Sequence, residues 1–140
     1  GVRPKGGSFT DLTRVSDDVE IVIRYRLKQT HNKFWITMHM KNEQGERIFS
    51  TSGAGRCYDK CHAKGEYEQI CHLPKDFFNW GTYAFDFLAI SHPSNVECLL
   101  KEDDIVSFTL ANRPIEIGGW MGKEPGDITP IFEYTEKKLS

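Results

Sequence analysis

Apolar residues at every second position are the feature that most limits what this chain can fold into. In VEIVIRYRLK, Val19, Ile21, Ile23, Tyr25 and Leu27 fall on one side and Glu20, Arg24 and Arg26 on the other. FWITMHMK sets Phe34, Ile36, Met38 and Met40 against Trp35, Thr37 and His39. Side chains of an extended strand alternate faces, so this period of two predicts strands with one buried face. NEQG at 42–45 supplies turn chemistry before RIFSTS, and 34–52 therefore reads as a hairpin.

Further along, NWGTYAFDFLAI places a Gly81 corner ahead of Tyr83, Phe85 and Phe87 on alternate positions, and these three are expected to face the core. EYEQICHL, DIVSFTLAN and ITPIFEY are three more strand candidates. Residues 53–64 and 91–103 read as loops, with a short helical turn near SNVECLL. Six or seven short strands at fairly even spacing, without an amphipathic helix, predict an all-β fold: an antiparallel two-sheet sandwich.

A chain of 140 residues, 39% hydrophobic, buries roughly two thirds of its unfolded surface and suffices for one domain. Residues 1–8, rich in Gly, Pro and Lys, read as a linker or remnant, leaving 9–140 as the domain, cut from a longer polypeptide. Eighteen basic and 20 acidic residues are interspersed. No basic stripe is available to neutralise phosphates, so nucleic acid is excluded as a partner. No apolar run approaches the roughly 20 residues of a membrane span, and the first residues lack the apolar core of a signal peptide.

Cys57, Cys61, His62, Cys71 and His72 lie within sixteen residues, and such side chains ligate zinc. The first pair has suitable spacing. Cys71 and His72, consecutive on a strand, point to opposite faces, so the expectation is no metal and no cofactor, with the cysteines as free thiols in a reducing cytoplasm. Neither G-x-x-x-x-G-K-[ST] nor G-x-G-x-x-G occurs, and the glycines around Trp120 read as an irregular loop. The chain by itself is not expected to be an enzyme.

Four segments carry a resemblance: SFTDLTRVSDDVEIVIRYRL, MKNEQGERIFSTS, HLPKDFFNWGTYAFDFLAI and GGWMGKEPGDITPIFEY. Within them are Gly45 to Phe49 closing a hairpin, Leu73 to Tyr83 turning into an aromatic strand, and Pro125 to Pro130 preceding Phe132 and Tyr134. Together they resemble the C-terminal domain of Wzt-type ATP-binding subunits, the polysaccharide ABC transporters that export O-antigen. The departures are a tail ending on Phe132 or Tyr134 where similar domains carry Trp, and the longer FFNW spacer before Gly81.

The resemblance implies an immunoglobulin-like sandwich that follows a nucleotide-binding domain, usually in a homodimer, at the cytoplasmic face of the bacterial inner membrane. Its implied role is recognition of an O-antigen-like glycan, in some members at a modified non-reducing end, before export through a membrane-spanning partner subunit.

An indole covers the apolar face of a sugar while neighbouring polar groups take its hydroxyls, which singles out Trp35, Trp80 and Trp120. Trp35, Thr37 and His39, on the face opposite the core residues of their strand, are the expected ligand contacts. Tyr67 and Gln69 join them if their strand lies alongside. Trp80 is expected to pack on the core at the corner. Two alternatives keep a sandwich: a dimerisation or docking module of the same transporter that touches no sugar, and a zinc-binding protein.

Overall fold

The computed structural model describes residues 1–31, 33–52, 62–91, 97–115, 118–120 and 122–139. Seven strands make two antiparallel sheets: β1 (Val2–Pro4), β2 (Val19–Leu27), β3 (Phe34–Lys41), β4 (Arg47–Ser52), β5 (Gly65–Leu73), β6 (Gly81–Ser91) and β7 (Glu97–Leu110). The smaller sheet has the order β1-β2-β5 and the larger β4-β3-β6-β7. No helix occurs among the described residues. The fold is the antiparallel two-sheet sandwich expected from the alternation, immunoglobulin-like as the resemblance implies, with β4 extending the larger sheet at one edge.

Alternation decides the layers. Val19, Ile21, Ile23 and Leu27 of β2 meet Phe34, Ile36, Met38 and Met40 of β3 and Tyr83 and Phe85 of β6 in one buried cluster. Phe87 packs against it while half-buried. Burial of each large side chain contributes about 1.5–3 kcal/mol. Phe85 is fully buried and stacks on Phe108, with ring centroids 5.7 Å apart.

The Gly81 corner is tied at three levels. Gly81 has φ of +152°, a conformation that favours glycine. Tyr83 Oη donates to the carbonyl of Asn79 at 2.6 Å, the tyrosine-corner arrangement of sandwich folds. Burial, then the nearby Asp127 and Glu43 carboxylates, push the Tyr83 phenol up to about 12. Asn79, itself buried, donates through Nδ2 to the carbonyls of Glu124 and Gly126, both at 2.7 Å. This anchors the Pro-Gly-Asp-Ile-Thr-Pro segment, where Gly126 takes φ of +97° and Ile128 bridges Phe78. Trp80 packs on the core edge as expected.

Three segments differ from expectation. Residues 97–103, assigned to a loop with a helical turn, are strand, because β6 runs on to Ser91 and offers Glu97–Lys101 a backbone partner. Residues 92–96 lie outside the described residues. ITPIFEY forms no strand: beyond the Ile128 bridge it finds no sheet partner among the described residues, and Ile131, Phe132 and Tyr134 are exposed. Val2–Pro4, read as part of a linker, pair with Val19–Ile21 as an edge strand, where a proline's missing N–H costs no ladder bond.

Candidate functional site

The outer face of the larger sheet is built by the residues that β3 and β6 do not turn inward. Trp35 stands opposite Ile90, Thr37 opposite Leu88, His39 opposite Asp86 and Lys41 opposite Ala84. On the other flank β4 sets Ser52 beside Thr37 and Ser50 beside His39. Trp35, Thr37 and His39 therefore share one face, half-buried, over roughly 13 Å of strand. The face grades from apolar at Trp35, Leu88 and Ile90 to polar and charged at His39, Asp86 and Lys41.

Its charged end is preorganised. Lys41 Nζ lies 2.9 Å from Asp86 Oδ1 and 2.7 Å from Asp104 Oδ1, and the Asp104 backbone N–H donates to Asp86 Oδ1 at 2.7 Å. Asp104 has φ of +50°, which aspartate tolerates better than most side chains. It sits in an irregularity of β7 where residues 103–105 all stand opposite Asp86. Burial pushes the Asp86 carboxyl up, but the Asp104 N–H and the Lys41 ammonium outweigh it and leave it below its usual range. Bonds to Asp104 and Asp86 in turn hold Lys41 above the usual lysine value.

His39 Nδ1 and Ser50 Oγ share a hydrogen bond at 2.6 Å. Burial and the Arg47 charge lower the His39 pKa, against an opposing pull from Asp86. The ring is thus mainly neutral near pH 7, with one nitrogen to donate and one to accept. Carboxylate, ammonium, hydroxyls and neutral imidazole side by side can bind hydroxyl groups of either polarity.

Tyr67 and Gln69 do not extend this face. Their strand, β5, pairs with β2 in the other sheet, and both residues share the side of β5 that carries the core residues Cys71 and Leu73. They nevertheless meet Trp35 at the sandwich edge, lining with Tyr25, Phe34 and His62 a groove of about 150 Å³. Tyr67 is held there by stacking on Tyr25 at 5.4 Å and by donating its hydroxyl to the Ala63 carbonyl at 2.6 Å. The structure thus brings Trp35, Tyr67 and Gln69 around one groove and runs Thr37 and His39 away from it along the sheet.

No group of three metal-ligating side chains occurs among the described residues. Cys57 and Cys61 lie outside them. Cys71 faces inward, half-buried, with its thiol pushed up by burial, while His72 is exposed on the opposite side. Sequence reasoning missed Lys41, Asp86 and Asp104 as a group, because three strands far apart in sequence supply them. Period two alone would have put Asp86, Leu88 and Ile90 opposite Phe85 and Phe87, but their register with β3 is a long-range fact.

Fold and face together define the class: an immunoglobulin-like sandwich whose larger sheet presents a mixed aromatic and polar outer surface. No protein-family model and no curated protein matches the sequence. Among solved structures, the crystal structure of the C-terminal domain of Wzt matches with a TM-score of 0.71 and 14% sequence identity. The match covers 98% of this chain and 80% of that one. At that identity the likeness is one of fold, and it extends over nearly the whole chain.

Proposed function

We propose that this domain is a non-catalytic polysaccharide-recognition module attached to the ATP-binding subunit of an ABC exporter. The observation that carries the reading is the outer face of the larger sheet, where an indole and two aliphatic side chains lie beside His39, Ser50, Asp86 and Lys41. The fold likeness to the Wzt C-terminal domain supports the transporter setting.

In this reading the Trp35 ring covers the apolar face of one sugar of an O-antigen-like glycan. Hydroxyls of the adjoining residue bond Thr37, neutral His39 and ionised Asp86. The Trp35, Tyr67 and Gln69 groove takes the substituent that projects over the sheet edge. The domain acts as a homodimer behind a nucleotide-binding domain, beside a membrane-spanning partner at the cytoplasmic face of the inner membrane. No helix of the described residues is long and apolar enough to cross a membrane.

Isothermal titration with the polysaccharide of the source cell tests it. Trp35→Ala is expected to weaken binding about 10–30-fold, the effect of truncating an aromatic anchor, with the melting temperature little changed. Unchanged affinity overturns the site. A docking module that touches no sugar is favoured by one observation, the exposure of Ile131, Phe132 and Tyr134. Light scattering that shows a dimer abolished by replacing all three with Ser, in a protein that binds no glycan, would decide for it.

A further inference from the structure

A second aromatic-lined cleft lies at the opposite end of the larger sheet. It measures about 340 Å³, and its walls include Trp80, Trp120, Asn112, Arg113, Ile115 and Glu124. Trp35 pairs with Ile90 near the far end of β6, whereas Trp80 directly precedes Gly81 at its start. Nine residues of strand, roughly 30 Å, separate the two indoles.

Trp120 is 66% exposed, a large apolar surface for which core packing gives no reason. Its ring is nevertheless placed. It folds back so closely on Gly122 that a Cβ there would lie 2.3 Å from Cζ2 and 2.4 Å from Cε2. The glycine backbone thus sits against the indole at Cζ2, Cε2 and Nε1 and holds it in place while most of the ring stays accessible, as a stacking platform needs.

The polar walls are balanced in charge. Arg113 Nη2 lies 3.3 Å from Asp76 Oδ1, Lys123 Nζ sits 4.5 Å from the Trp80 ring centroid, and Glu124 adds a carboxylate. Arg14 Nη1 donates to the Asn112 carbonyl at 2.8 Å and fixes that wall. All three cations near the cleft already have partners, so it suits a neutral hydroxylated ring better than an anion.

We propose that this cleft is a second sugar-binding subsite, with Trp120 as its platform and Asn112 and Glu124 taking hydroxyls. The class of ligand rests on the glycan reading above; the location does not depend on Trp35.

The 140-residue chain has three tryptophans, so a ¹⁵N-labelled sample gives three separately assignable indole N–H signals. The probes are mannotetraose, a rhamnose trisaccharide and chitotriose, with inorganic phosphate as the anionic contrast. At least one neutral probe is expected to shift Trp80 and Trp120 together. Trp120→Ala, read on Trp80, and Gly122→Val, which displaces the ring without removing it, should each weaken that binding at least tenfold. Because Trp120 is largely exposed, the alanine variant should melt with the parent.

Shifts of Trp35 alone would overturn the second subsite and leave the sheet-face reading standing, whereas shifts of Trp80 and Trp120 alone would do the reverse. A response to phosphate only, no response of Trp80 and Trp120 to any probe, or unaltered affinity in both variants would overturn the proposal.

Discussion

The two sheets share one core but dress their outer faces differently. On the smaller sheet the charges are matched across neighbouring strands: Arg3 with Glu20 at 3.1 Å, Arg24 with Glu68 at 2.7 Å, and Arg26 with Glu66. Each pair satisfies itself at or near the surface and leaves little for a ligand to gain. The larger sheet instead gathers Lys41 and exposed Asp104 around buried Asp86 and keeps Trp35, Leu88 and Ile90 beside them. Matched pairs make a solvated surface, whereas a polarity gradient with an indole at one end makes a surface that can be occupied.

Four substitutions test how far this contrast holds. Phe85→Ala removes the fully buried ring beneath the larger sheet and is expected to cost about 3–5 kcal/mol in urea unfolding, since the core supports both faces equally. A loss under 1 kcal/mol would mean that the sheets do not share a core.

Asp86→Asn should cost about 1–3 kcal/mol by removing a charged partner from mostly buried Lys41. The Asp86 pKa is lowered by folding, so its stabilisation is complete above the unfolded value near 3.8 and is lost as pH falls through the lower folded value. The gap between parent and variant should therefore close in strong acid.

Tyr83→Phe leaves the Asn79 carbonyl without its corner donor, at about 1–2 kcal/mol. Folding raises the Tyr83 pKa from 10 to about 12, so this contribution is present below pH 10 and falls as pH climbs towards 12. The Phe variant should lack that alkaline decline. Arg24→Ala, on the face of matched pairs, should change stability by no more than about 0.5 kcal/mol. A cost equal to that of Asp86→Asn would erase the distinction between the faces.

Period-two alternation was enough to read β2, β3, β5 and the inward Tyr83 and Phe85, because each strand has one face in the core. It failed where the partner, not the local pattern, decides. ECLLKEDD lacks alternation and becomes strand through β6, while ITPIFEY has a strand's composition and no sheet to join among the described residues. Of the candidate site, the common face of Trp35, Thr37 and His39 followed from sequence. The position of Tyr67 and Gln69 did not, since which sheet β5 joins is fixed by pairing with β2. Trp120 was legible as one of three indoles able to cover a sugar, but not as part of a cleft, because the approach of its ring to Gly122 is a matter of three-dimensional packing.

The irregularity at Asp104 has a consequence for the length of β7. Three consecutive residues share a single opposite number there, and the ladder then resumes with Val106, Phe108 and Leu110 pointing inward. Excising one of the three would turn every later side chain of the strand over, sending Phe108 and Leu110 into water and Ser107 and Thr109 towards the oily interior. The segment is a counting device whose residue number, more than its chemistry, keeps the final strand the right way up.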